Sequence, residues 1–390
     1  METSNEKLRI AEIIGRYDAA GVDHVVMNYC RLIADDEMQI DVFYNEDSRV
    51  APPTGLKNIR FIQIPAYKHF PAYMRALDQA FRRNGYQIVH AHVNTLSVFP
   101  LMAARRCRIP VRIAHSHSMA AKGETKRNLA KYLLRPFSKV NATQLMACSE
   151  QAGAWLFGDK AMASGCVTLL PNAVPTGEYA FSQAVRDRLR RELGWENDFV
   201  VGHVGRIISQ KNHEFLLRIF AAFKKRMPSA KLLLVGDGPL REETTEQAKA
   251  LGILPDVHFT GVVTDVAPYY QAMDCLVLPS RYEGLPLTVV EAQIAGLPVL
   301  ASCAVPPEAF FTDGNRRMTL EESPDEWADA LVQLAILSCS RDRHDCVHSA
   351  RQSGFDVQTE AQRLGRYYRG CVRNESVGSA GADQPHHPGL

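Results

Sequence analysis

The chain has 390 residues, 46% of them hydrophobic and 23% charged, which is ordinary for a globular protein and excludes fibrous and wholly disordered classes. The formal net charge of +2 conceals an asymmetry: residues 1–175 carry 22 Lys and Arg against 15 Asp and Glu, and the remainder carries 23 against 28. The length fits two domains better than one core. Nine cysteines show no C-x-x-C pair and no regular spacing, so reduced thiols in a cytosol are expected, with neither a disulfide frame nor a zinc knuckle. No apolar run reaches bilayer length, so a cytoplasmic protein is expected, with any membrane contact peripheral and on the inner membrane face.

Leu8 to Ile14 reads as a first strand and Val22 to Ile33 as an amphipathic helix, with Gly21 between them. Strands follow at Gln39 to Tyr44, Ile59 to Ile64, Gln87 to His90, Val111 to Ala114, Gln144 to Ala147 and Cys166 to Leu170. Helical patterns lie at Ala72 to Arg83, Leu96 to Arg106 and Arg127 to Ser138. This alternation predicts a doubly wound parallel sheet. The turn-rich Pro171-Asn172-Ala173-Val174-Pro175 is read as a hinge, giving a first domain over 1–175.

A second alternating series begins at Phe199 to Val204. It continues with a helix at His213 to Lys225, a strand at Lys231 to Val235, a helix at Leu240 to Leu251 and a strand at Val257 to Phe259. Asp274 to Leu278 is a buried strand; Pro286 opens the next helix, Gly296 stops it, and Pro298 to Ala301 is the following strand. Helices near Pro324 to Leu337 and Val357 to Tyr368 complete a domain over 176–373, the last helix able to pack back on the first domain. The Gly, Ser, Pro and His-rich tail, 374–390, is expected to be disordered. Two Rossmann-like α/β domains facing across a cleft are therefore expected, with ligand beyond the carboxyl ends of the strands.

Several residues fall at those strand ends. Glu283 lies in the loop before the Pro286 helix, where free N–H groups attract phosphate. Glu291 stands eight residues on, crowded by Val289, Val290, Ala292 and Ile294, and a carboxylate among apolar neighbours needs a partner such as a ribose hydroxyl pair. Gly205 permits close approach of the backbone to a ligand, and Arg206 and Lys211 place two cations where a diphosphate would sit. Gly236-Asp237-Gly238-Pro239 lacks the third glycine of a dinucleotide fingerprint and reads as a tight turn. No His/Cys cluster has ligand spacing, so no metal is expected. His115 and His117 end a first-domain strand and could touch a sugar hydroxyl or adjust charge, as could His90 and His92. Lys122, Lys126, Arg127, Lys131 and Arg135 recur at near four-residue spacing, a basic amphipathic face suited to anionic lipid or to an ordinary solvated surface.

In VGHVGRIISQKNHEFLLRIF, KLLLVGDGPLREE, the stretch from VHFTGVV to GLPVLAS, VHAHVNTLSVFPLMAA and RIAHSHS, the chain resembles the retaining glycosyltransferases of family 4, which have the GT-B fold. Within that family it is similar to bacterial exopolysaccharide and capsule transferases. The resemblance implies that Arg206 and Lys211 hold the donor diphosphate and that Glu283 contacts the donor sugar beside the N–H groups of Gly284, Leu285, Pro286 and Leu287 (Pro286 itself having none). It implies that Glu291 binds ribose, and that Gly21 and Val263 also border the donor. The substrates would be a nucleotide sugar, UDP-linked by preference, and a saccharide or polyprenyl-linked acceptor, with no cofactor and no nucleic acid. Two departures from the pattern are Ala20-Gly21 in place of a Gly-Gly pair, and Asn172-Ala173-Val174-Pro175 in place of N-G-I-D. A nucleotide-sugar epimerase and a non-catalytic nucleotide-sugar-binding protein are the alternatives.

Overall fold

The computed structural model describes residues 7–18, 21–48, 50–117, 131–340, 342–344 and 346–373. The chain divides into two compact units, one built from the segment up to Val174 together with the segment from Gly354, the other from Pro175–Ser353. Each has its own all-parallel sheet, as buried strands linked by helical crossovers require.

The first unit carries β1 (Leu8–Gly15), β2 (Met38–Asn45), β3 (Ile59–Ile64), β4 (Ile88–Ala91), β5 (Val111–Ser116), β6 (Gln144–Ala147) and β7 (Val167–Leu169) in the order β3-β2-β1-β4-β5-β6-β7. The second carries β8 (Val200–Val204), β9 (Lys231–Val235), β10 (Val257–Phe259), β11 (Cys275–Leu278), β12 (Val299–Ser302) and β13 (Arg316–Met318) in the order β10-β9-β8-β11-β12-β13. Strand order reverses between β1 and β4 in one sheet and between β8 and β11 in the other. At such a reversal the crossovers leave to opposite faces and open a crevice at the strand ends. Both groups of candidate residues lie beside these reversals.

The final helix, Val357–Val372, belongs to the first unit, so the second unit ends at Ser353 where the sequence suggests 373. The cause is local. Val174 and Val357 exchange backbone bonds with the facing segment, Val174 N to Phe355 O and Val357 N to Val174 O, each 3.0 Å. Asp356 then caps the helix by accepting from Thr359 N at 3.2 Å. Val357, Ala361, Leu364 and Tyr368 form its buried stripe at helical spacing. Arg363 reaches Leu169 O at 2.6 Å and Arg369 pairs with Asp35 at 2.7 Å, holding both ends against the first sheet.

In the second unit Trp327 is fully buried on Phe215, edge to face at 5.6 Å, and anchors helix Pro324–Ser340 to helix His213–Arg226. Asp274, just ahead of β11, is gripped by Arg186 and Arg190 from helix Gln183–Leu193, which ties that helix to the strand's start. The described cysteines are free thiols, and among the described residues no helix is long and apolar enough to cross a membrane.

Candidate active site

In the second unit the loops leaving β8 and β11 are stitched together. Gln210 receives Arg281 N on its carbonyl at 2.8 Å and donates its side-chain amide to Tyr282 O at 2.9 Å. Asn212, in the left-handed region with φ 57°, donates to Pro279 O at 3.2 Å and accepts from Arg281 at 3.1 Å. These ties bring Lys211 Nζ to 2.7 Å from Glu283 Oε1, in a pair with side chains 14% and 6% exposed. Arg206 is exposed at the end of the β8 loop, and its guanidinium has no partner among the described residues. Two cations at one strand end can make charge-assisted hydrogen bonds to a diphosphate.

The shape of that loop is set by glycines. Gly205 has φ 156°, and the Cβ of any replacement for Gly236 or Gly238 would lie 2.3 Å from Gly205 O or Ile207 O. Gly236 and Gly238 are thus packed against the Arg206 loop, and the turn carries Gly236 N to Gly261 O at 3.0 Å, close to half-buried Val263. Helix Leu287–Ile294 begins after Pro286, which is its N-cap. Thr288 Oγ1, in the first turn, is buried and unbonded among the described residues. That hydroxyl is a buried polar group at the helix mouth with no sequence signal of its own.

Glu291 is buried with Glu283 in the same unit, and its partners differ from the expected sugar hydroxyls. Tyr270 donates to Oε2 at 2.7 Å and Tyr179 to Oε1 at 3.2 Å. Burial pushes the Glu291 carboxyl above its ordinary range, opposed by the two phenol hydrogen bonds and by the charge of Lys211. The carboxylate is satisfied from within the protein. A ribose would therefore share it or displace Tyr179, the longer of the two contacts. Behind the loop, His203 donates from Nδ1 to Val277 O at 2.8 Å and meets His213 edge to face. Its Nε2 and both ring nitrogens of His213 lack partners among the described residues.

In the first unit, β4 and β5 project His90 and His92, and His115 and His117, from alternate positions, so all four rings share one face. They form one buried network with Glu12 of β1, which is in register with His90. Glu12 Oε2 accepts from His92 Nε2 at 2.7 Å, and Tyr368 donates to Oε1 at 2.8 Å. Burial, with neighbouring imidazoles adding to it, pushes His90 and His115 well below the usual histidine range and His117 down to about 3. An acid in the middle of the apolar run Ile10-Ala11-Glu12-Ile13-Ile14 was a sequence signal for this site. Gly21, the N-cap of helix Val22–Ile33 with φ 66°, is exposed on this unit.

Lys122, Lys126 and Arg127 lie outside the described residues, as does Ala20. The helical pattern is described only over 131–134, followed by a 3-10 turn at Arg135–Phe137. Arg135 donates to Ala154 O at 3.4 Å and stands over Trp155, so it is partly engaged by its own unit. Around it Tyr132, Leu133, Phe137 and Val140 are all more than half exposed.

Comparison with known proteins finds relatives for both units. Residues 198–336 match the family of glycosyl transferases group 1, and residues 19–178 match Glycosyltransferase Family 4. The chain is 30% identical to glycosyltransferase EpsF of Bacillus subtilis over 375 residues, covering 94% of this chain and 97% of that protein. It is 24% identical to the UDP-Gal:alpha-D-GlcNAc-diphosphoundecaprenol alpha-1,3-galactosyltransferase of Escherichia coli, covering 77% and 81%. In fold it is similar to Anabaena HepE, solved in complex with UDP-glucose, with a TM-score of 0.75, 19% identity and coverage of 93% and 99%. The paired parallel sheets and the full-length similarity to EpsF make this chain a member of the family 4 glycosyltransferases, with the GT-B fold.

Proposed function

We propose that this glycosyltransferase moves a sugar, with retention of anomeric configuration, from a UDP-sugar to a polyprenyl-linked or growing saccharide acceptor in exopolysaccharide or capsule synthesis. The observation that carries the reading is the Lys211–Glu283 pair beside unpaired Arg206 in one knitted loop. Arg206 and Lys211 bind the diphosphate and stabilise charge on the departing nucleotide, so no metal is assigned to that step. When the diphosphate takes Lys211, Glu283 is released toward the donor sugar, beside the N–H groups of Gly284, Leu285 and Leu287 at the mouth of helix Leu287–Ile294. Glu291 engages the ribose. Retention follows a front-face route in which the leaving phosphate takes the acceptor's proton, and catalysis rests on positioning and electrostatics. His115 and His117 act on the acceptor side, and Gly21 and Val263 border the donor.

Two relatives support the choice of substrates. The Escherichia coli protein is named for UDP-Gal and a diphosphoundecaprenol acceptor, and Anabaena HepE was solved with UDP-glucose. A polyprenyl acceptor calls for membrane contact, for which Lys131 and Arg135 among exposed Tyr132, Leu133 and Phe137 are suited, at the inner face of the cytoplasmic membrane. Nucleotide release tests the reading. UDP should be freed from a UDP-sugar faster when a diphosphoprenyl saccharide is added, and Arg206→Ala should abolish that increment. An epimerase would change the sugar without releasing UDP, and a binding protein would do neither; either outcome would sink the transferase assignment.

A further inference from the structure

The histidines at the carboxyl ends of β4 and β5 stand in two pairs, His90 over His92 with ring centroids 4.0 Å apart and His115 over His117 at 3.9 Å. Across the strands their inner nitrogens meet, His90 Nε2 at 3.0 Å from His115 Nδ1 and His92 Nδ1 at 2.8 Å from His117 Nε2. The outer nitrogens decide where the protons sit. Tyr368 gives its hydroxyl proton to Glu12, so its oxygen accepts from His90 Nδ1 at 2.6 Å. Glu12 accepts from His92 Nε2 at 2.7 Å, and Asn172 Oδ1 accepts from His117 Nδ1 at 3.2 Å. With those three protons outermost on neutral rings, His90 Nε2, His92 Nδ1 and His117 Nε2 all turn lone pairs inward. His115 Nδ1–H meets the first. On neutral rings the other two face each other, lone pair to lone pair, a contact that either a proton on His92 or a metal cation relieves. His115 Nε2 is buried with no partner among the described residues.

We propose that His90, His92 and His115, with His117 beside them, form a binding site for a divalent transition-metal ion of the kind that imidazole favours, Zn2+ foremost. One ring nitrogen from each of His90, His92 and His115 falls within 4.8 Å of the others, and His117 Nε2 lies 2.8 Å from His92 Nδ1. Imidazole nitrogens about 2.0–2.1 Å from a tetrahedral Zn2+ stand about 3.3 Å apart, so the 3.0 Å contact of His90 with His115 opens slightly and these near-parallel rings turn until their lone pairs converge on the ion. The outer partners are those of a metal centre. Glu12 on His92 is a carboxylate–histidine support, while Tyr368 and Asn172 fix the orientation of His90 and His117. His115 joins by moving its proton from Nδ1 to the vacant Nε2, so its ring stays neutral and no proton is lost. Linear spacing hid the site. Two H-x-H pairs 25 residues apart in the chain are brought together by the pairing of β4 with β5.

The test uses the full chain purified without a histidine tag, with metal content measured by mass spectrometry and Co2+ and Zn2+ titrated by absorption and by thermal shift. One equivalent of metal should bind, Zn2+ should raise the melting temperature, and a chelator should reverse the rise. His92→Gln should lose the equivalent. Glu12→Gln should weaken Zn2+ binding about 10- to 100-fold and serves if His92→Gln fails to fold. A wild-type protein with a cooperative melt that takes up neither ion overturns the proposal, leaving a shared proton or a turned Asn172 amide to bridge His92 and His117. Uptake that both variants leave unchanged overturns it as well, because the metal then sits elsewhere. These readouts are independent of sugar transfer.

Discussion

Lys211→Ala separates the cost of the Lys211–Glu283 pair from its use. At 2.7 Å and an effective dielectric of about 20, the attraction is about 6 kcal/mol before desolvation is subtracted. Removing one partner of a buried pair costs about 3–5 kcal/mol, because the other charge is left without compensation. The remaining contact to Glu283 is Gln210 Nε2 at 3.5 Å, too long to replace an ammonium. A loss of about 3 kcal/mol lowers the melting temperature of a unit of this size by roughly 6–12 °C. Calorimetry of wild type, Lys211→Ala, Glu283→Gln and the double variant measures it, read on the second unit's own transition since two units need not melt together. Neutralising Glu283 in the Lys211→Ala background should restore at least half of the loss. If Lys211→Ala melts with wild type, or the double variant is no more stable than Lys211→Ala, the pair is not a buried, coupled one and the reasoning fails.

Glu291→Gln should leave folding nearly unchanged at neutral pH, because Tyr179 and Tyr270 can hydrogen-bond an amide, while stabilisation by UDP is lost. The sign follows from its raised carboxyl: stability from the protonated form is full below the unfolded value and is lost as pH rises through the folded one, so urea midpoints of Glu291→Gln should fall less than wild type between acid and neutral pH. His213, pushed down to about 4 chiefly by burial, carries the opposite sign. Its neutral form contributes fully above the unfolded value of about 6.5, and the contribution fades as pH falls toward 4; His213→Gln should flatten the urea midpoint between pH 7 and 5, and an unchanged slope counts against the assignment. Leu133→Glu with Phe137→Glu should abolish sedimentation with anionic vesicles at low salt, and binding that survives both changes removes the patch from the membrane contact.

The placement of the candidate donor-site residues was legible from local rules. Gly205, Arg206, Lys211, Glu283 and Glu291 sit at strand ends and a helix mouth, and a strand–loop–helix unit presents such positions to a ligand in any tertiary setting. Edge strand β13 went unread because Arg316–Met318 is polar on its exposed side and lacks the apolar run of a central strand. Tyr179 and Tyr270 were missed as partners of Glu291, since they lie 112 and 21 residues away in the chain. The sequence left the unit of the last helix open for a related reason. The amphipathic stripe of helix Val357–Val372 shows that one face is buried, but not on which unit.

The sequence by itself determined two α/β series, a break within Pro171–Pro175, and the order of cations and carboxylates around the loops after β8 and β11, because periodicity and turn chemistry act over a few residues. Only the tertiary structure decided that Lys211 and Glu283 neutralise each other, that Glu291 is held by two phenols, and that Glu12, four histidines and Tyr368 share one network. Those outcomes depend on strand order and on where the chain's last helix returns. Both are set by burial summed over the whole molecule, so no single stretch of the chain contains them.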